Sequence, residues 1–439
     1  MSNDKKIKDL SFGEPEAEHD MYFIEHAFCE TGVWRKVKSN LRLPFIIGRK
    51  GSGKSAIALK LQIDSAAIAD GNFIKFVPDD FRHVEVRTLL QCLVNSNTSW
   101  QYIYQKVWEG IILGQIVNHI LNGDKSERYY KVSSEFKEEV QKFEKECSFY
   151  VNALEDALAR VITDFVKDKA FQQDEIELVK LREMLEPYNW KNLTRVIDSE
   201  YKKDSEHLGK IILTIDGLDE YWDCSEPSLH FLAQLLRVVK TLSAKMENSV
   251  KFVICLRDNI FRALVDTKCV EYDKLESAIN YLDWDSKTLF ELVATRAFVG
   301  NSTKDAVKSL RSILPEYIQE LDIESYLGRY ILNRPRAYIN YFQLLQTECH
   351  GSEIVEEAHV KKSINQYRAN RLTDLENEFG LTYPGITKLI DELQSMPEEF
   401  GQKEILERLD LLCSNADLQN KVPDLNGTSL SANYLISRG

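Results

Sequence analysis

Short apolar runs alternate with longer amphipathic stretches between residues 43 and 282. Five runs have the length and composition of buried strands, and the stretches between them carry apolar residues at helical spacing. Strands that alternate with helices predict an α/β fold with a mostly parallel sheet and helices on both faces. The predicted strands are 43–47, 73–77, 210–215, 251–256 and 278–282.

Two amphipathic segments lie between the second and third predicted strands. Residues 98–122 carry apolar side chains at helical spacing, and residues 136–166 place them at steps of three and four. Both are predicted to be helices of a large insertion at about residues 95–205. They either pack on their own domain or form an arm for oligomerisation or for binding a partner protein.

The chain after residue 285 is predicted to be helical. Ser286 suits the N-cap of one helix, and Pro335 suits the first turn of another. Residues 351–413 are helical in pattern and rich in acids, and the tail from 414 is polar. The predicted organisation is a lead-in at 1–40, an α/β core at 41–285, a helical lid at 286–350 and a C-terminal helical region at 351–439.

Composition narrows the class of protein. The 439 residues are 44% hydrophobic and 28% charged, which is typical of a globular chain. The net charge of −13 argues against general attraction to nucleic acid or to an anionic membrane, although a local basic patch is compatible with it. No apolar run reaches the roughly 18 residues of a membrane span, and no signal peptide or CxxC pair is present. We therefore expect a cytoplasmic protein without membrane contact.

One glycine-rich motif carries the candidate chemistry. Residues 48–55 match G-x-x-x-x-G-K-S, directly after the first strand and before a predicted helix that begins at Ala56. The glycines are expected to adopt left-handed backbone angles that turn N–H groups towards a triphosphate. Lys54 would reach the β and γ oxygens, and the Ser55 hydroxyl would bind Mg²⁺. The predicted nucleotide-binding loop is Gly48, Arg49, Lys50, Gly51, Ser52, Gly53, Lys54, Ser55 and Ala56.

Carboxylates follow the third predicted strand, in the segment Ile-Asp-Gly-Leu-Asp-Glu at 215–220. Asp216 would hold the hydration shell of Mg²⁺ beside Ser55. Asp219 or Glu220 would orient and polarise the attacking water, and the residues alone do not decide between them.

Three arginines are candidates for reading the γ-phosphate. Arg257 ends the fourth predicted strand, and is either a phosphate sensor or a solvated or salt-bridged side chain. If the strands are adjacent, Gly48, Asp216 and Arg257 share one edge of the sheet. Arg334 and Arg336 flank a predicted helix start, where the helix dipole disfavours cations. They either lie near an anion such as the bound phosphate or are two surface arginines.

These motifs together resemble the STAND and ORC-like branch of P-loop ATPases, which is related to AAA+ proteins. More narrowly, the chain is similar to a family of small bacterial P-loop ATPases named after a cyanobacterial open reading frame. The segments 12–18 and 367–372 resemble the N-terminal and C-terminal parts of that family. The resemblance implies a P-loop NTPase fold with a helical insertion, a helical lid and a helical or winged-helix-like C-terminal domain.

The resemblance also implies roles for the residues. Lys54 and Ser55 would bind phosphate and metal, and Asp216 would support the metal. Glu220 would activate water, with Asp219 as the second candidate. The implied readers of the γ-phosphate are Arg257, Arg334 and Arg336.

The function implied by the resemblance is a magnesium-dependent switch that binds and hydrolyses ATP. Such a switch would form a homo-oligomer and act with a partner protein in phage defence or in a DNA-associated process. DNA binding is compatible with the C-terminal helices but is not indicated by the charge. One alternative is a non-hydrolysing scaffold that holds ATP or ADP and recruits an effector through the insertion. A phosphotransferase of the nucleoside-kinase type is another. The absence of an Asn-Lys-x-Asp motif favours ATP over GTP.

Overall fold

The computed structural model describes most of the chain. The described residues fall into two compact units, which we call the sheet unit and the helical unit. The sheet unit comprises Glu14–Trp284 and Arg334–Arg336. The helical unit comprises Met1–Gly13, Asp285–Asn333 and Ala337–Gly439. The residues described are 6–39, 44–69, 72–76, 100–122, 131–148, 190–219, 225–350, 354–379, 403–404 and 407.

Five parallel strands form the core of the sheet unit. Their order across the sheet is β2-β3-β4-β1-β5, and every neighbouring pair is parallel. The prediction of an α/β fold with a parallel sheet is therefore confirmed, and each strand lies close to its predicted run. The strands are β1 (Phe45–Gly48), β2 (Phe73–Phe76), β3 (Ile211–Ile215), β4 (Val250–Arg257) and β5 (Ile279–Tyr281).

Burial along the strands follows their place in the sheet. All four residues of β1 are buried, and β4 is buried as far as Leu256. Central strands of a parallel sheet are covered on both faces, so they need continuous apolar runs. The edge strand β2 instead exposes Lys75 between buried neighbours.

Ten α-helices of the sheet unit are described. The predicted helix at 98–122 is confirmed as α4. The helices are α1 (Met21–His26), α2 (Gly32–Ser39), α3 (Lys54–Ala69), α4 (Trp100–Asn122), α5 (Ser134–Glu146), α6 (Trp190–Lys203), α7 (Ser205–Leu208), α8 (Glu226–Lys245), α9 (Asp258–Asp266) and α10 (Tyr272–Leu275).

The prediction of one helix over 136–166 is wrong in its extent. Helix α5 ends at Glu146, because Cys147 leaves the helical region with φ −121° and ψ 30°. The apolar spacing continues past this point, which is why the sequence pattern missed the end. Residues 149–189 lie outside the described part of the chain.

The insertion helices pack within the sheet unit. The Trp108 Nε1–H donates a hydrogen bond of 2.9 Å to the carbonyl oxygen of Phe231 in α8, and the two rings lie 4.6 Å apart. In α6, the Glu200 carboxylate accepts hydrogen bonds of 2.7 and 2.8 Å from the backbone and side chain of Ser133, just before α5. These contacts support packing within the domain for the described part of the insertion.

The helical unit contains five described α-helices and one short hairpin. The prediction of an all-helical region is wrong at this hairpin, where β6 (Tyr317–Ile318) pairs antiparallel with β7 (Leu321–Asp322). Both turn residues have positive φ, 50° and 64°, as in a type I′ turn, but Gln-Glu is not a typical sequence for it. The helices are α11 (Ser286–Ala297), α12 (Thr303–Arg311), α13 (Ile323–Tyr330), α14 (Pro335–Glu348), whose first two residues group with the sheet unit, and α15 (Glu357–Phe379).

Two helix starts of this unit were predicted. Helix α14 begins at Pro335 as expected. The N-cap of α11 is Asp285 and not Ser286, since the Asp285 carboxylate accepts a 2.7 Å hydrogen bond from the Thr288 N–H. Within the described part of the chain, no helix is both long and apolar enough to cross a bilayer.

The first residues of the chain are part of the helical unit. The ring of Phe12 lies 5.1 Å from that of Phe342, and the Phe12 carbonyl accepts a 3.0 Å hydrogen bond from Arg296. The Gln346 side-chain amide donates to the carbonyl oxygens of Ile7 and Leu10 at 3.1 and 2.8 Å. Residues 7–12 therefore pack against helices α11 and α14, which lie far later in the sequence.

Candidate functional site

Left-handed backbone angles were predicted at three glycines of the loop at 48–55, and two of them have such angles. Gly51 and Gly53 have φ of 78° and 94°, a region that side chains disfavour. The expectation of a left-handed angle at Gly48 is wrong, because Gly48 lies in β1. A Cβ at Gly48 would lie 2.5 Å from the Ser52 Oγ and 3.3 Å from the Leu282 Cβ, so a side chain here would force its neighbours to move.

Lys54 opens α3, two residues before the predicted helix start. Its side chain is buried, and the Nζ donates hydrogen bonds of 3.0 and 3.1 Å to the carbonyl oxygens of Gly48 and Arg49. Burial lowers the pKa of Lys54, and the nearby carboxylates of Asp216 and Asp219 oppose this shift. Two carbonyl groups of the loop therefore bind the ammonium group of Lys54.

Asp216 follows β3 and meets the start of α3. Its carboxylate and the Ser55 side chain line the same small cavity. Burial raises the pKa of Asp216, and the Ser55 hydroxyl and the charge of Lys54 act in the opposite direction. A hydroxyl beside a carboxylate is an oxygen pair that suits Mg²⁺, which prefers few protein ligands and several waters.

A small cavity adjoins this oxygen pair. It measures about 10 Å³ and is lined by Ser55, Asp216, Lys75 and Glu18 among others. Such a volume is near the minimum for one water molecule. Glu18 is a neighbour of the site that the sequence reasoning did not single out, although it ends the segment 12–18.

The carboxyl ends of three strands meet at one edge, as expected. Gly48 lies opposite Arg257 in the β1–β4 register. In the β3–β4 register, Ile215 lies opposite Ile254, which places Asp216 beside the end of β4. The glycine loop, Asp216 and Arg257 therefore share the same end of the sheet.

Arg257 is paired with an acid at this edge. Its Nη1 lies 3.4 Å from the Asp219 Oδ2, with 15% and 26% of the two side chains exposed. The salt-bridged alternative for Arg257 is thus the arrangement observed. Glu220, the other candidate base, lies outside the described residues.

Arg334 and Arg336 contact the backbone of the glycine loop. The Arg334 Nη1 donates a 2.7 Å hydrogen bond to the Lys50 carbonyl, and the Arg336 N–H donates to the Gly51 carbonyl at 3.3 Å. The Arg336 Nε donates to the Pro15 carbonyl at 3.2 Å. The two arginines are therefore brought to the predicted site, where they bind carbonyl groups.

Two neighbours of the loop were missed by the sequence reasoning. Trp284, three residues after β5, donates a 2.8 Å hydrogen bond from Nε1 to the Ser52 carbonyl. In β4, the buried Cys255 places its Sγ 3.7 Å from the Lys54 carbonyl, and burial raises the pKa of this thiol. Neither residue carries a motif, so only the fold reveals them.

The described residues contain few groupings of side chains that could bind a metal ion. No group of three or more His, Cys, Asp or Glu side chains among them could hold a metal ion. A divalent cation at Ser55 and Asp216 would therefore complete its coordination with water or with oxygens of a bound phosphate.

One protein-family model matches the C-terminal part of the chain. Residues 287–376 match the model of the FunZ-associated C-terminal helical domain. This range contains nearly all of the described helices of the helical unit. The fold and the match together define an α/β protein with a five-stranded parallel sheet and a C-terminal helical domain.

One curated relative aligns with most of the chain. It is an Escherichia coli (strain K12) protein named "Putative transposon gamma-delta 80.3 kDa protein", and it is 22% identical over 410 residues. The alignment covers 92% of this chain and 56% of the relative, so the chain spans about half the length of that protein. No solved structure matches the chain.

Proposed function

We propose that this protein is a magnesium-dependent ATP-binding and ATP-hydrolysing switch of the STAND and ORC-like P-loop type. The observation that supports this most is the meeting of Lys54, Ser55 and Asp216 at one edge of the sheet. Ser55 and Asp216 line the same small cavity there. A positively charged loop with a metal-ligating oxygen pair fits a nucleoside triphosphate and its metal ion.

The loop would bind the phosphates by exchanging its internal partners. In the structure, the Lys54 Nζ satisfies two carbonyl groups of the loop. In the proposed complex this ammonium group turns to phosphate oxygens, which are stronger acceptors because they are charged. Mg²⁺ held by Ser55 and Asp216 would neutralise part of the negative charge of the phosphates.

Asp219 and Arg257 suggest how hydrolysis would be gated. The pair at 3.4 Å keeps both side chains occupied. A γ-phosphate would attract Arg257 and release the Asp219 carboxylate, which could then polarise the attacking water. Glu220 is retained as the other candidate base on the strength of the family resemblance.

Arg334 would connect the nucleotide to the helical unit. This residue groups with the sheet unit, and the chain continues from Ala337 into the helical unit. A γ-phosphate competes with the Lys50 carbonyl for the Arg334 guanidinium, and ADP lacks this group. Such a difference in contacts between two nucleotide states is what a switch requires.

Hydrolysis and binding of the purified full chain test the proposal. We expect release of phosphate from Mg-ATP that Lys54→Ala abolishes, and binding of Mg-ATP by calorimetry that Asp216→Asn weakens. Lys36→Ala, which removes an exposed charge in α2, is the control and should change neither. Wild-type turnover equal to the Lys54→Ala background would refute hydrolysis, and the absence of any nucleotide binding would refute the whole proposal.

A non-hydrolysing scaffold is the second candidate. It is favoured by the Asp219–Arg257 pair, since the described candidate base is engaged with a cation. In that case ATP binds tightly, no phosphate is released, and a partner protein associates through the insertion. Single-turnover assays with labelled ATP separate the two candidates.

The biological setting is also a proposal. The name of the Escherichia coli relative links that protein to a transposon. Together with the family resemblance, this supports a role beside mobile or invading DNA, with a homo-oligomer and a partner protein as the working form. Measuring the size of the protein with and without a non-hydrolysable ATP analogue, followed by a pull-down in each state, tests oligomer and partner.

A further inference from the structure

The segment that follows β5 runs beside the glycine loop. The Leu282 N–H donates a 2.8 Å hydrogen bond to the Ile47 carbonyl, which extends the pairing of β5 with β1. A Cβ added at Gly48 would lie 3.3 Å from the Leu282 Cβ, so this segment is close to the start of the loop. Two residues later, the Trp284 Nε1–H donates a 2.8 Å hydrogen bond to the Ser52 carbonyl. The glycine loop is therefore bonded to a segment that the sheet itself holds in place.

The ring of Trp284 is held by apolar packing as well as by its hydrogen bond. It is partly buried against a cluster of apolar side chains from α2, β1, α3 and β4. Trp34 of α2 lies in the same cluster and is buried. A side chain that its surroundings already order loses little further rotamer freedom when it makes a contact. Trp284 therefore donates to the loop from a fixed position.

The hydrogen bond from Trp284 differs in charge from other contacts of the loop. The side chains of Lys54 and Arg334 bind three other carbonyl groups of the loop. In the proposed nucleotide complex these two cations turn to the phosphates, which are charged acceptors. The indole of Trp284 is neutral, and its N–H is a donor only. Its hydrogen bond to the Ser52 carbonyl is therefore expected to remain when a nucleotide binds.

The direction of the Ser52 carbonyl determines the direction of a neighbouring donor. The peptide unit between Ser52 and Gly53 is planar and trans, so its C=O and its N–H point to opposite sides. A phosphate-binding loop needs N–H groups that converge on one side, although such dipoles repel one another while no anion is present. Gly53, with φ of 94°, has the wide backbone freedom of glycine. A contact that holds the Ser52 carbonyl therefore also fixes the Gly53 N–H.

We propose that Trp284 is a positioning residue of the phosphate-binding loop, a role that rests on the nucleotide-binding function proposed above. Its Nε1–H holds the Ser52 carbonyl, and through this peptide unit it keeps the Gly53 N–H turned towards the phosphates. Trp284 acts through the loop and not on the nucleotide itself. Loss of the indole donor therefore weakens nucleotide binding without removing any group that contacts the nucleotide.

Two substitutions at Trp284 separate the donor from the packing. Trp284→Phe keeps an apolar six-membered ring and removes the donor. Trp284→His removes more of the ring, but its Nε2 takes the place of the indole Nε1 and can carry a proton to donate. Calorimetry on the full chain, with Mg-ADP and with a non-hydrolysable ATP analogue, should show about three- to tenfold weaker binding in Trp284→Phe and a smaller loss in Trp284→His. A role in apolar packing alone predicts the reverse order.

Trp34→Phe is the matched control. The Trp34 Nε1 is buried and has no hydrogen-bond partner among the described residues. This substitution removes the same atoms from the same apolar cluster without removing a hydrogen bond, so nucleotide affinity should stay within about twofold. Urea unfolding checks that each variant is folded under the conditions of the binding assay. Trp284→Leu serves as the donor-free variant if Trp284→Phe does not fold.

The possible results separate the role of Trp284 from the proposed function. A wild-type chain that binds neither nucleotide would overturn the proposed function, and the role of Trp284 with it. Where the wild type binds, three results would overturn the role of Trp284 alone. They are unchanged affinity in Trp284→Phe, an equal loss in Trp34→Phe, and a larger loss in Trp284→His than in Trp284→Phe.

Discussion

Replacing Gly51 by alanine should destabilise the glycine loop in two separable ways. The φ of 78° at Gly51 disfavours any side chain. An added Cβ would also lie 2.9 Å from the Arg336 Cβ and 3.3 Å from its Cδ. Gly53→Ala is the matched comparison, since Gly53 has φ of 94° but its nearest neighbour, the Pro335 Cγ, would be 3.9 Å away.

The expected magnitudes follow from these contacts. A side chain in the left-handed region costs about 1–2 kcal/mol, so Gly53→Ala should lower the free energy of unfolding by this amount. Gly51→Ala adds the clash with Arg336, for a total of about 2–5 kcal/mol. Arg336→Ala would remove the contacts with Cδ and Cγ, whereas Arg336→Gly would also remove the closer contact with Cβ.

Urea unfolding of the full chain, followed by circular dichroism, measures these differences. A double-mutant cycle should show that Arg336→Gly rescues part of the loss in Gly51→Ala and that Arg336→Ala rescues less. Gly32→Ala, where nothing lies within 4 Å of the added Cβ, controls for the substitution itself. A Gly51→Ala variant that is no more destabilised than Gly53→Ala would refute the steric role of Arg336 against Gly51.

Three further substitutions test other parts of the fold. Burial lowers the pKa of Lys251 from 10.5 to about 8, so the charged form is penalised in the folded protein. Lys251→Met removes this penalty together with the Nζ hydrogen bonds to the Val37 and Lys38 carbonyls, so its stability relative to wild type should fall by up to about 3 kcal/mol as the pH rises from 8 to 10.5. Asp198→Ala should lower the free energy of unfolding by about 2–4 kcal/mol. The Asp198 carboxylate accepts four hydrogen bonds from the turn before β4, two of them from Ser249. Asp285→Ala should lower the free energy of unfolding by about 1 kcal/mol, because the Thr288 N–H loses its N-cap acceptor.

Denaturant titrations at several pH values measure all three. Lys202→Met and Glu206→Ala change exposed charges and serve as controls. A Lys251→Met difference that stays constant up to pH 10.5 would contradict the proposed proton linkage. Unchanged stability of Asp198→Ala or Asp285→Ala would show that water replaces the lost contacts.

The sequence predicted the sheet well because its signals are local. Each strand is an apolar run, and parallel pairing brings the ends of β1, β3 and β4 to one edge. The loop conformation at Gly51 and Gly53 likewise depends on residue type. The positions of Lys54 and Asp216 therefore followed from motifs alone.

The parts that the sequence missed depend on contacts between distant segments. The apolar spacing gave no sign that α5 ends at Glu146. Arg336 carries no signal for its contact with the Pro15 carbonyl, and Trp284 none for its hydrogen bond to the loop. Whether Arg257 faces a phosphate or a carboxylate depends on the position of Asp219, which spacing alone does not define.

The division of the chain has a consequence for making fragments of this protein. Because Met1–Gly13 groups with the residues after Trp284, the helical unit is discontinuous in sequence. A fragment cut at Asp285 would leave Phe342 without the ring of Phe12, and Gln346 without the carbonyl groups that it binds. Separate expression of this unit should therefore require the first thirteen residues, supplied as a fused segment or added as a peptide.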